Sequence, residues 1–94
     1  MLIPTVHLNG TAGEALRDQY AAAAEAVRKA TDAVCDVGFN ARDYYVQGTD
    51  ASLTAQREHE SRITALKRVR DELATIMEGI QDQIDAKEAS RRDR

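Results

Sequence analysis

Apolar positions along this chain follow three different rhythms. Over residues 1–10, MLIPTVHLNG, the apolar positions Leu2, Val6 and Leu8 alternate with polar ones around Pro4, which predicts an extended arm rather than a helix. From Leu16 the spacing changes to 4, 3, 4, 3, 4 and 3 through Tyr20, Ala23, Val27, Ala30, Val34 and Val37, an unbroken a/d heptad register. This predicts a first helix over 11–37. Its start reads as a capping box in Thr11-Ala12-Gly13-Glu14, and Gly38 stands where a left-handed C-terminal cap is expected. A second stripe, Leu53, Ile63, Leu66, Val69, Leu73, Ile76, Met77, Ile80 and Ile84, predicts a helix over 50–89 capped by Thr49 or Asp50, with Gly79 as a local weak point. Between the two, residues 38–49 carry no helical period and are bracketed by Gly38 and Gly48. Residues 90–94, SRRDR, have no apolar member and read as a disordered tail.

Two long helices with a connection of this length fold back antiparallel, so the predicted class is all-α, an antiparallel helical hairpin with an extended N-terminal arm. At about 1.5 Å per residue the first helix is roughly 40 Å long and the second nearer 55 Å. The second therefore overhangs, and the overhang carries Ile80 and Ile84. Either the arm or a second subunit must cover them, and a hairpin also exposes the far side of each stripe. Assembly into a helical-bundle homo-oligomer, a dimer or higher, is the expected answer.

Composition narrows the function. Ninety-four residues make one domain at most, and an apolar content of 43% with only 4% aromatic residues implies a thin core of Ala, Val, Leu and Ile. A net charge of −3 argues against a binder of long nucleic acid or of an anionic membrane. The single cysteine, Cys35, cannot pair within the chain and reads as a small packing residue beside Val34, and Met1–Pro4 lacks the form of a signal peptide. A cytoplasmic protein is the expectation.

Three of the four aromatic residues, Phe39, Tyr44 and Tyr45, fall within one connection, together with Asn40, Arg42, Asp43 and Gln47. In the functional reading Arg42 is a fork for phosphate or carboxylate, Tyr44 and Tyr45 give a stacking face or hydroxyl donors, and Gln47 reads an edge by hydrogen bonds. In the plainer reading Phe39 and one tyrosine plug the bundle end while Arg42 and Asp43 tie the loop down. Continued backward from Ile63, the second stripe lands on His59 and Gln56, so the seam turns polar below the connection. A further polar group, His7 and Asn9, lies at the opposite end of the hairpin, on the order of 35 to 40 Å away, and reaches the connection only in an antiparallel oligomer. No catalytic template, metal-ligand spacing or cofactor motif is present in the sequence, which predicts a protein that is not an enzyme and carries no cofactor.

The segments VHLNGT and NARDYYVQG, followed by a charged helix from TDASLTAQREHE, resemble a group of small uncharacterised proteins encoded by tailed bacteriophages, over most of the chain. The resemblance implies a phage origin, not a mechanism; small phage-encoded helical proteins are often inhibitors of host defence, so the expectation is a stoichiometric antagonist that blocks a host protein or sequesters a small nucleotide-like signal, or else a virion or assembly protein acting as a helical scaffold. Arg42, Tyr44, Tyr45, Gln47 and His59, with His7 and Asn9 of a partner subunit, are the residues expected to bind.

Overall fold

The computed structural model describes residues 1–92. They form a rod of 71 × 22 × 21 Å with no strand among the described residues. Helix α1 spans Gly13–Cys35 and helix α2 spans Ala51–Arg92; the connection holds two 3-10 turns, Ala41–Asp43 and Tyr45–Gln47. The helices pack antiparallel. Arg17 Nη1 donates to Gln81 Oε1 at 3.1 Å, and Gly13 is so close to Ile84 that a Cβ there would lie 3.1 Å from Ile84 Cγ1. With 42 residues, α2 rises through about 63 Å against about 35 Å for the 23 residues of α1, so it overhangs at both ends.

The helix ends depart from the sequence expectation. Helix α1 starts at Gly13 on Ala12, with no side-chain cap; the Thr11 hydroxyl does not close a capping box, and the Leu16 N–H instead donates to Ala12 O at 2.9 Å. At the other end the chain leaves the helix at Asp36 in right-handed geometry, its N–H donating to Asp32 O, so Gly38 is not a left-handed cap. That role falls to Gly48, whose φ of 128° ends the second 3-10 turn ahead of α2. Helix α2 continues past Ala89 through Arg92, because Ala, Glu, Lys and Arg are strong helix formers even without apolar contacts. The remainder of the expected disordered tail, 93–94, lies outside the described residues.

The seam between the helices is also displaced from the predicted stripe. On α1 it runs through Leu16, Tyr20, Ala24, Val27, Thr31 and Val34, leaving Ala23, Ala30 and Val37 exposed. Thr31 is buried because its hydroxyl donates to Val27 O at 2.7 Å, which satisfies the polar atom inside the helix and leaves a methyl for packing. On α2 the seam takes Ala55, His59, Ile63, Leu66, Arg70, Leu73, Met77, Ile80 and Ile84, while Leu53, Gln56 and Val69 face outward. Arg70 serves there through its aliphatic stem, its guanidinium reaching back to Asp71 at 3.0 Å. Cys35 is exposed and packs against nothing in the core.

Ile80 and Ile84 are the buried apolar core, at 0% and 8% exposure; contrary to the expected overhang they lie beside the first turns of α1, where Gly13 meets Ile84 and Arg17 meets Gln81, and Val6 of the arm closes over Gly13 at the same place. Gln83 holds the arm by its amide: Oε1 accepts from the Val6 N–H at 2.8 Å and Nε2 donates to Pro4 O at 2.8 Å, pairing the extended backbone much as a neighbouring strand would. Lys87 Nζ adds a donor to Val6 O at 3.4 Å. Ile3 then lies flat on Gly79, where a Cβ would stand 2.9 Å from both Ile3 Cδ1 and Cγ2. Gly79 is thus the seat of the arm, not merely a weak point. Full burial of a side chain such as Ile80 contributes about 1.5–3 kcal/mol, a large share for so thin a core.

Candidate functional site

Backbone hydrogen bonds build the connection. Asn40, in extended geometry, accepts the Arg42 N–H on its side-chain oxygen at 3.0 Å and the Asp43 N–H on its carbonyl at 3.0 Å, which starts the first 3-10 turn. Tyr44 N–H donates to Ala41 O and Gln47 N–H to Tyr44 O, so the two turns share Tyr44 as their joint. The Tyr44 ring stacks on Phe39, with centroids 5.8 Å apart and planes 15° from parallel. That stack braces the loop across the first turn. It gives Tyr44 a packing role, and Phe39 is half in solvent rather than plugged into the bundle end.

On this brace the remaining groups point outward. Arg42 and Gln47 are exposed, Tyr45 is 71% exposed and Val46 76%, with Val37 and Leu53 exposed close by in sequence at the flanking helix ends. His59 is half-buried on α2, and the register that sets Gly13 against Ile84 and Arg17 against Gln81 brings it level with the start of the connection. The structure therefore gathers Arg42, Tyr44, Tyr45 and Gln47 into one loop, with His59 near its base. It does not bring in Gln56, which faces away from the seam. His7 and Asn9 lie across the length of α1, about 35 Å off, in a turn closed by the Gly10 N–H donating to His7 O at 3.2 Å. Within one chain they cannot share a pocket with Arg42.

Sequence reasoning missed a cleft of about 170 Å³ at the arm end, floored by Val6 and Ile84 and rimmed by Glu14, Lys87, Glu88 and Arg91. Its signal was available in part: Lys87 and Arg91 follow Ile84 at helical spacing, but the closing wall is the arm, whose path no periodicity fixes. The rim is mixed in charge, two acids facing two bases. Among the described residues no three His, Cys, Asp or Glu side chains are placed to hold a metal ion. Among the described residues no helix is long and apolar enough to cross a membrane. The strongest ion pairing lies elsewhere, on an exposed flank of α1, where Arg28 forks onto Glu25 at 2.6 and 2.9 Å and reaches Asp32 at 2.9 Å. The hydrogen bond from Arg28 holds the Glu25 carboxyl below the ordinary carboxylate range, and the same pairing raises Arg28.

Comparison of the chain with protein-family models, with curated proteins and with solved structures gave no match.

Proposed function

We propose that this chain is a non-enzymatic binding protein of phage type, a stoichiometric antagonist of host defence that assembles as a homo-oligomer and works in the host cytoplasm. The observation that carries the reading is the connection: a loop braced from inside by the Phe39–Tyr44 stack presents Arg42, Tyr45, Val46 and Gln47 to solvent. Arginine and tyrosine beside apolar neighbours are the residue types that dominate protein-binding hot spots. Catalysis, by contrast, favours groups enclosed where water is expelled, and these stand on an open surface. The same openness favours a host protein over a small nucleotide-like signal as the target, since small ligands are usually held in concave sites and the cleft described above is at the other end of the rod. A nucleotide-like ligand would need His7 and Asn9 of a partner subunit to close over Arg42.

The test is complementation. A phage lacking the chain is plated on a host that restricts it, with wild-type protein or variants supplied in the host. Wild type restores plating, and Arg42→Ala combined with Tyr45→Ala abolishes it while melting like wild type. Full plating by the double variant overturns the assignment of the connection. A scaffold reading is favoured by one observation, the 71 Å rod with its 42-residue helix. It predicts instead that the double variant is fully active and that the wild-type chain is retained in purified virions.

A further inference from the structure

The arm divides the hairpin into two unlike sides. The Arg17–Gln81 hydrogen bond marks one side of the α1–α2 seam, and the arm, held at Gly79, Gln83 and Lys87, marks the other. Seven residues make nearly two helical turns, so positions seven apart form an almost straight column. Stepping from Leu16 gives Ala23 and Ala30 on the arm side of α1, with Val37 just past the helix end; stepping back from Gln83 gives Ile76, Val69 and Arg62, on the arm side of α2. The intrachain seam uses neither column in full. The arm covers the second only as far as Gln83 and Gly79, and beyond its end Val69 is 39% exposed and Val37 60%.

Charge follows the same division. The arm-side flank of α1 is filled between the column positions by Gln19, Ala26 and Ala33, so it carries no charged residue from Leu16 to Ala33. The Glu25–Arg28–Asp32 ion pairs all stand on the opposite flank. On α2 the charged members of the arm-side flank near Val69 are Glu58 and Arg62, paired at 3.4 Å, and Glu72 toward its outer edge. A heptad column stripped of charge on one flank only is the pattern of a helix that packs against a further helix. The amount of surface agrees. The chain exposes 7095 Å², whereas a compact monomer of 10.4 kDa exposes roughly 5,400 Å². The excess, roughly 1,700 Å², is more than the about 800 Å² per partner that a stable interface takes.

We propose that the arm-side face, the Ala23–Ala30 column of α1 with Val69 of α2, is the docking surface for a second copy of this chain, continuous with the surface the arm already occupies. This rests on the assembly reading above and names its interface. Two such faces laid together form a four-helix layer flanked by the two arms, and the ion-paired flanks remain in solvent.

Sedimentation equilibrium with circular dichroism tests it. Wild type sediments at twice 10.4 kDa or a higher multiple, and Ala30→Glu combined with Val69→Glu falls to 10.4 kDa, while Gln56→Glu on the opposite flank leaves the mass unchanged. A helical wild-type monomer at all concentrations overturns both the interface and the assembly reading. An associated wild type whose Ala30→Glu, Val69→Glu variant associates equally overturns the interface alone. Because a dissociated hairpin with so small a core can unfold, labelling gives an independent readout. A bulky maleimide reacts more slowly with Ala30→Cys, in a Cys35→Ser background, as protein concentration rises, whereas native Cys35 on the opposite flank reacts at a constant rate. Equal behaviour at the two positions overturns the interface.

Discussion

Replacing Gly79 by alanine sets two effects of opposite sign against each other. In a helix interior alanine is favoured over glycine by about 1 kcal/mol, so an unencumbered α2 would gain that much stability. The arm reverses the sign. An added Cβ would stand 2.9 Å from two carbons of Ile3, closer than carbon atoms approach, so Ile3 must leave its seat. Ile3 is 40% exposed, so what it loses is about 1–2 kcal/mol of burial out of the 1.5–3 for a whole side chain. Displacing the arm also strains the two Gln83 hydrogen bonds, each contributing about 0.5–1.5 kcal/mol. It uncovers part of Ile80 and Ile84 as well. The net expectation for Gly79→Ala is a loss of about 1–2 kcal/mol by urea unfolding followed by circular dichroism. In an Ile3→Ala background the obstruction is gone, and the same substitution should now stabilise by about 0.5–1 kcal/mol. A reversal of sign between the two backgrounds is the signature of the docked arm. A gain of about 1 kcal/mol in both would refute the reasoning, because the arm would then have no seat on Gly79.

Two further outcomes follow from the connection and from the exposed flank of α1. Tyr44→Ala should lower stability by about 0.5–1.5 kcal/mol through loss of the stack on Phe39, whereas Tyr45→Ala should leave thermal melts unchanged; equal melts for both would remove the brace. The Glu25 carboxyl titrates below its ordinary value in the folded chain, so the pairing with Arg28 contributes fully above the ordinary carboxylate range and is lost as pH falls through the lowered value. Thermal melts taken from about pH 6 down to about pH 3 should therefore show a small acid destabilisation that Arg28→Ala abolishes, and an unchanged acid limb in that variant would show that the dependence comes from another carboxylate.

The helices and their antiparallel pairing were legible in the sequence because the apolar stripes are long and capped by glycine-rich interruptions. The choice of inward column was not. On α1 two candidate columns differ by one residue, Ala23 and Ala30 against Ala24 and Thr31, and hydropathy favours the first. The structure takes the second because Thr31 satisfies its own hydroxyl at Val27 O, a local hydrogen bond that no apolar count registers. Arg70 displaced Val69 from the seam for a related reason, a long stem packing where a charge was expected to forbid it. Of the candidate site, the clustering of Arg42, Tyr44, Tyr45 and Gln47 was plain from sequence, being one loop. What was hidden is the division within it, since the Phe39–Tyr44 stack depends on how the short Ala41–Asp43 3-10 turn folds the loop back. The reading that Ile80 and Ile84 overhang the first helix was wrong: α1 starts opposite Ile84, so its first turns lie over both isoleucines, and the arm adds to that cover at Val6. Gln83, the residue that holds it, looked like any polar position on a solvated helix.

The contacts that seat the arm join residues 76 to 81 positions apart in the chain. During synthesis the arm emerges before α1, and its binding surface on α2 emerges only after both α1 and the connection. At about 5–20 residues per second the arm waits on the order of 4–15 s for Gly79, Gln83 and Lys87 to appear. Over that interval α1 has no partner and Ile3 and Val6 have nothing to cover, so folding is deferred until α2 has been made. A product that stops before residue 79 lacks both core isoleucines as well as the seat of the arm, and it is left as an exposed amphipathic helix open to proteases. The arm can thus take its seat only when the two distant stretches meet.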